Sequence, residues 1–177
     1  MRKIEITSRC SSGSPVKFKW FSEFDVKPGS DLHAALDAFE GAYIKENRLI
    51  NDYLLASARA DIRTTLMKAM RGDLLPIKQL KALNGRVMPQ LFEIRWQNIT
   101  AREIQQNGTL KTVQLLFRMY HSEPSEVPGY FIGHHIHEKQ VKIREDIKQL
   151  QNREIQRARE YFESGRQSHW GINELTE

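Results

Sequence analysis

The chain has 177 residues, 40% hydrophobic and 28% charged, with a net charge of +5 and a pI near 9.4. That is enough chain for one domain with a proper core, and its composition is that of a globular rather than a disordered protein. No apolar run approaches the ~20 residues that span a bilayer. The basic start lacks the apolar core of a signal peptide, and Cys10, the only cysteine, cannot form an intrachain disulfide, so the expectation is a cytoplasmic protein with no membrane partner. The positive excess would attract phosphate backbones, although a merely soluble surface accounts for it equally well on charge alone.

Residues 1–30 read as an extended lead-in, in which "IEI" (Ile4–Ile6) and "VKFKWF" (Val16–Phe21) alternate with period two and "SSGSP" and "KPGSD" form turns. Ser30 or Asp31 can N-cap a helix beginning at Leu32. From Leu32 to Arg71 only Gly41 interrupts a helical pattern, with Leu32, Leu36 and Phe39, then Ile50, Tyr53 and Leu54, then Ile62, Leu66 and Met70 as the apolar stripe. A single helix of that length is unusual in a globular domain, so the pattern predicts a helical hairpin with its break around Asn47–Asp52. Gly72 is placed near the C-cap of the second helix, with Pro76 beyond it.

The period then changes from helical to alternating. "QLFEIRWQN" (Gln90–Asn98), "TVQLLFRMYH" (Thr112–His121) and "GYFIGHHIHEK" (Gly129–Lys139) read as three strands, with turns at Gln105–Thr109 and Ser122–Gly129. Short connections make them an antiparallel meander. Beyond Lys139, Val141, Ile143, Ile147 and Leu150 form one helical stripe and Ile155, Ala158 and Phe162 another, with Asn152 as a candidate N-cap between them. The expected organisation is a lead-in over 1–30, one α+β domain over 31–164, and a tail over 165–177 that is either loose or docked.

Alternation also sorts the strand side chains. Phe92, Ile94 and Trp96 fall on one face, as do Leu115, Phe117 and Met119, and Ile132, His134 and Ile136. The opposite face collects Glu93, Arg95, Arg118, Tyr120, His135, His137 and Lys139, along with Leu91, Leu116 and Phe131. His134, among isoleucines, reads as a hydrogen-bonded structural residue. The polar set can be the solvated side of a half-buried sheet. It also suits phosphate chemistry, because guanidinium groups grip phosphate bidentately and histidine exchanges protons near neutral pH. A third reading puts a zinc ion on His135, His137 and Glu93, but no HExxH or CxxC accompanies them and H-x-H is a weak signal by itself.

The stretches "PIKQLKALNG", "QLFEIRW", "LLFRMYH", "GYFIGHHIHEK" and "NREIQRARE", in that order and spacing, resemble the HigB branch of the RelE-like toxin superfamily, which includes many phage-derived proteins. The resemblance spans roughly residues 32–162. It implies an N-terminal helical hairpin packed on a curved antiparallel sheet, followed by a C-terminal helix. It also implies a toxin-type endoribonuclease, an mRNA interferase that is often ribosome-dependent, uses no metal or other cofactor, and is held inactive by an antitoxin, here expected to be a helix-turn-helix protein. By position Arg95 and Lys139 match the family's basic strand-end residues, and His135 and His137 fall where members place variable catalytic groups. Gln114 stands where the family often has an arginine, with Lys111 nearby and Arg118 beyond.

RNA cleavage without a metal needs a base for the 2′-hydroxyl, positive charge for the phosphorane, and an acid for the leaving 5′-oxygen. The expected catalytic set is therefore His135 and His137 as acid and base, with Arg95, Arg118 and Lys139 on the phosphate. Tyr120, stacking on the target base, with Lys111 and Glu93, completes the substrate-binding set, and Glu93 reads equally as a base or as the salt-bridge partner of Arg95. The alternative is a catalytically degenerate, phage-derived protein of the same fold that binds nucleic acid or protein. No GxxxxGK[ST], GxGxxG or GxSxG is present, which disfavours nucleotide hydrolases and α/β-hydrolases.

Overall fold

The alternating stretches assemble into one mixed sheet with the strand order β1-β5-β4-β3-β2. The strands are β1 (Lys17–Trp20), β2 (Leu80–Ala82), β3 (Leu91–Ile104), β4 (Leu110–Ser122) and β5 (Tyr130–Glu138). A computed structural model describes residues 7–22, 29–83, 90–141 and 144–173, so the strand expected at Ile4–Ile6 lies outside the described residues. The helices are α1 (Asp31–Tyr43), α2 (Asp52–Arg71) and α3 (Arg144–Arg166), and the class is α+β. β3, β4 and β5 form the antiparallel meander that alternation predicts. β1 comes from the lead-in and pairs with β5 in parallel, so the sheet begins well before residue 31. β2 carries no signal in the sequence: three residues are too few to show a period.

Local chemistry sets the helix boundaries. The Ser30 side chain accepts from the His33 amide and starts α1, and the Asn51 side chain accepts from the Tyr53 and Leu54 amides and starts α2. Gly72 ends α2 in the left-handed conformation at φ 77°. A Cβ there would lie 2.5 Å from the Ser14 carbonyl oxygen, so only glycine lets the lead-in pass this close. The intervening residues 44–51 are pinned to the sheet by Arg48, whose guanidinium donates to the Tyr43 carbonyl at 2.8 Å and pairs with Glu103 and Glu138.

The hairpin covers one face of the sheet. Phe39, Tyr43, Ile62 and Leu66 meet Ile94, Trp96, Phe117, Met119, Phe131 and Ile136 in one apolar core, each large side chain worth about 1.5–3 kcal/mol of burial. Phe39 and Phe117 meet edge to face with centroids 4.8 Å apart. Tyr53, expected in the stripe, is instead 79% exposed, because it sits in the first turn of α2 on the outer side. The buried stripe of that helix runs through Ala58, Ile62, Leu66 and Ala69.

One irregularity changes the face assignment in β5. Tyr120 pairs with His135 and His121 with Gly133, leaving His134 as an extra residue. Such a bulge shifts the alternation, so everything on one side of it swaps faces. Ile136 keeps its place in the hairpin core, but Phe131 joins it there, while Ile132 packs with Val127, Phe162, Trp170 and Ile172 on the other side. His134 is fully buried edge-on to Phe162, in whose cluster Ile132 packs, and not in the hairpin core with Ile136. It is hydrogen-bonded as expected: Nδ1 donates to the Phe21 carbonyl at 3.2 Å and Nε2 accepts from the Ser122 hydroxyl at 2.8 Å. Burial pushes its pKa down to about 3, so the ring is neutral.

α3 lies over that second face as one continuous helix. Asn152 is internal to it rather than a cap; of the predicted stripes Ala158 and Phe162 are buried, Ile147, Leu150 and Ile155 are half-buried, and Val141 is exposed ahead of the helix. Ile143 is outside the described residues. Past the helix the chain docks: Trp170 is fully buried, lies tilted against the Phe162 ring with centroids 4.9 Å apart and donates its Nε1 hydrogen to the Phe162 carbonyl at 2.9 Å. Among the described residues no helix is long and apolar enough to cross a membrane.

Candidate active site

Cross-strand register brings most of the expected polar residues together. Glu93, Tyr120 and His135 stand directly opposite one another on β3, β4 and β5, and Arg95, Arg118 and His137 form the next row. Lys139 comes just beyond β5, its amide bonded to the Leu116 carbonyl at 2.7 Å. A cleft of about 230 Å³ opens where this grid meets α3. Glu93, Arg118, Tyr120, His137 and Lys139 line it from the sheet, and Gln151 and Glu154 from the helix.

Glu93 is the electrostatic centre of the grid. Its Oε1 accepts from Arg95 Nε at 2.6 Å and lies 3.4 Å from Arg118 Nε. Arg118 is nearly fully buried and donates through one terminal nitrogen to the Trp96 and Phe117 carbonyls, at 3.1 and 2.7 Å. Burial lowers its pKa and Glu93 opposes that shift. Arg95 also reaches out to the Ile77 carbonyl at 3.1 Å. Ile77 holds a left-handed φ of 66°, a strained conformation for a β-branched residue.

The two histidines differ in environment. His135 Nε2 is bound to the Glu154 carboxylate of α3, and that bond is the main reason the Glu154 pKa falls below the usual carboxylate range. His137 is pushed down to about 4, chiefly by burial, and is therefore neutral near pH 7. Its Nδ1 lies 3.3 Å from the Glu138 carbonyl oxygen, which can only accept, so Nδ1 carries the proton. Nε2 then presents a lone pair with no hydrogen-bond partner among the described residues. The rings of His135 and His137 stack nearly parallel, with centroids 5.5 Å apart, instead of converging with Glu93 on a point as shared metal ligands would.

Two expected residues are placed differently. Tyr120 is fully buried, its ring against His137 at 5.2 Å, and burial raises its pKa so that it keeps its proton. It forms part of the cleft floor, and no nucleobase can stack on it beneath α3. Lys111 is exposed near the start of β4 and lines a separate, more open cleft of about 470 Å³ with Lys45, Gln114 and Glu138. The two clefts share only the rim at Glu138–Gln140. Burial and the neighbouring Arg118 lower the Lys139 pKa on that rim. Sequence reasoning missed Glu154 and Gln151, because reading α3 as two stripes concealed which of its polar side chains faces the sheet.

No family model, curated protein or solved structure matches this chain.

Proposed function

We propose that the chain is a metal-independent endoribonuclease of the RelE-like toxin type, acting at the cleft between the sheet and α3. One observation carries the reading: the buried His137 Nε2 is left without a hydrogen-bond partner among the described residues, in the wall of a cleft that Arg118 and Lys139 also line. A neutral imidazole beside fixed positive charge is the pairing that 2′-hydroxyl attack on a phosphodiester requires. In this reading His137 Nε2 takes the 2′-proton. Lys139 and Arg118 meet the charge that builds on the phosphorane, and His135, bonded to Glu154, returns a proton to the leaving 5′-oxygen. Glu93 orients the two arginines. The RNA strand continues across the Glu138–Gln140 rim into the second cleft, where Lys45 and Lys111 meet its phosphates. A helical hairpin ahead of an antiparallel meander and a helix after it suit the RelE-like arrangement, with mRNA, the ribosome and a helix-turn-helix antitoxin as partners.

A second reading, a binding module that has lost catalysis, is favoured by Glu93 alone, since one carboxylate already neutralises both arginines. Translation-coupled mRNA cleavage separates the two. His137→Gln should lower cleavage by about 10²–10⁴-fold with the fold intact, as loss of a general base does. Wild-type cleavage in that variant, or none in the wild-type protein, would remove the enzyme reading.

A further inference from the structure

On the hairpin face, where the lead-in crosses the end of β4, lies a group of side chains unconnected with the cleft. Cys10 Sγ, His121 Nε2 and a Glu123 carboxylate oxygen all lie within 4.8 Å of one another, and no other His, Cys, Asp or Glu trio among the described residues converges in this way. Sγ is 3.7 Å from Nε2, and Nε2 is 3.1 Å from Oε1. A tetrahedral zinc ion with bonds of about 2.0–2.3 Å would set its ligands about 3.4–3.6 Å apart, close to these separations. We propose that Cys10, His121 and Glu123 form a binding site for a zinc-class transition metal that clasps the lead-in to the end of β4.

The donor set is preorganised. His121 and Glu123 are two residues apart on a strand end and so share a face. The His121 ring is fully buried, stacked on Phe92 at 5.4 Å and edge-on to Phe131 at 5.4 Å. Its Nδ1 has no partner among the described residues, so this aromatic slot, not a second hydrogen bond, aims Nε2 at the thiol and carboxylate. Cys10 is also fully buried, in a 3₁₀ turn over Arg9–Ser11 capped by Ser8. Arg9 anchors that turn by donating to the carbonyls of Pro124, Val127 and Tyr130, at 3.1, 3.2 and 2.7 Å. Glu123 is held on both oxygens, by the Ser8 hydroxyl on Oε1 and by the Arg9 amide on Oε2 at 2.7 Å. Thiolate, imidazole and carboxylate together select zinc and its neighbours over magnesium or calcium. Binding replaces the thiol proton, which leaves to solvent, and a water completes the tetrahedron.

Cobalt(II) titration of untagged, chelator-treated full-length protein tests the site. The expected result is one equivalent bound, with tetrahedral visible bands and a thiolate charge-transfer band. Since Cys10 is the only cysteine, that band reports this site without any variant. Cys10→Ser should abolish the band, and Cys10→Ser and Glu123→Gln should each weaken binding beyond the about 100-fold loss that removal of an outer-shell partner causes. If a variant does not fold, the wild-type spectrum still decides. Absence of a thiolate band at one equivalent, or unchanged affinity in Cys10→Ser, would overturn the proposal and leave a hydrogen-bonded latch.

Discussion

The two faces of the sheet are buried by different means. Beneath α1 and α2 the inward side chains are mostly aliphatic and aromatic, and the ion pairs near them lie at the margins, those of Arg48 at the connector and that of His121 with Glu123 at the end of β4. Beneath α3 the sheet presents Glu93, Arg118, Tyr120 and His137, all removed from most solvent, and Arg118 Nε, Tyr120 OH and His137 Nε2 have no hydrogen-bond partner among the described residues. Apolar burial stabilises the first face directly, whereas desolvating charged groups returns little net stability. A face that retains costly polar groups under a helix is where functional constraint, rather than packing, has shaped the sequence.

The largest test of this contrast lies on the apolar side. Phe117→Ala should destabilise the protein by about 3–5 kcal/mol, read as a fall in the urea midpoint, through lost burial and the cavity left behind. On the polar side, Glu93→Gln should cost about 3 kcal/mol, because Arg118 is left buried without its counter-charge. The double change Glu93→Leu with Arg118→Met should recover most of that loss, and a double variant as unstable as the single would equate the two faces.

Acid should act on the α3 side next. His134 and His137 are neutral when folded, with pKa values depressed to about 3 and about 4. In the unfolded chain they titrate near 6.5, so below that pH the unfolded state binds more protons and stability falls. The loss begins as pH drops through 6.5 and continues toward the folded values, about 2 kcal/mol per histidine by pH 5. Urea midpoints at pH 7.5, 6.5 and 5 check the slope, and a flat profile contradicts the buried neutral state. The smallest effect belongs to the outer surface of the hairpin: Tyr53→Ser should change stability by less than about 0.5 kcal/mol in the same measurement.

Much of this architecture is readable from the residues. Period two locates β3, β4 and β5 and gathers Glu93, Arg95, Arg118, Tyr120, His135 and His137 on one side, because alternation acts locally and needs no partner. It fails where a distant element intervenes. The bulge at His134 depends on pairing with β4, so alternation alone puts Phe131 and Ile132 on the wrong faces. Gly133 offers only an indirect hint: a Cβ there would come within 2.8–3.0 Å of the Trp20 and Phe18 rings of β1. The partnership of His135 with Glu154, and the burial of Tyr120, depend on where α3 lies, which no strand periodicity reports. Cys10 and His121 meet across more than a hundred residues of sequence, so no motif spacing announces them.

The parallel pairing of β1 with β5 also bears on how the chain reaches this shape. Lys17–Trp20 cannot find its register until Tyr130–Gly133 exists, so a nascent chain carries β1 unpaired until those residues have been made. Closing so long a loop is entropically slow, and β1 should therefore be a late arrival in refolding, after the β3–β5 meander has formed.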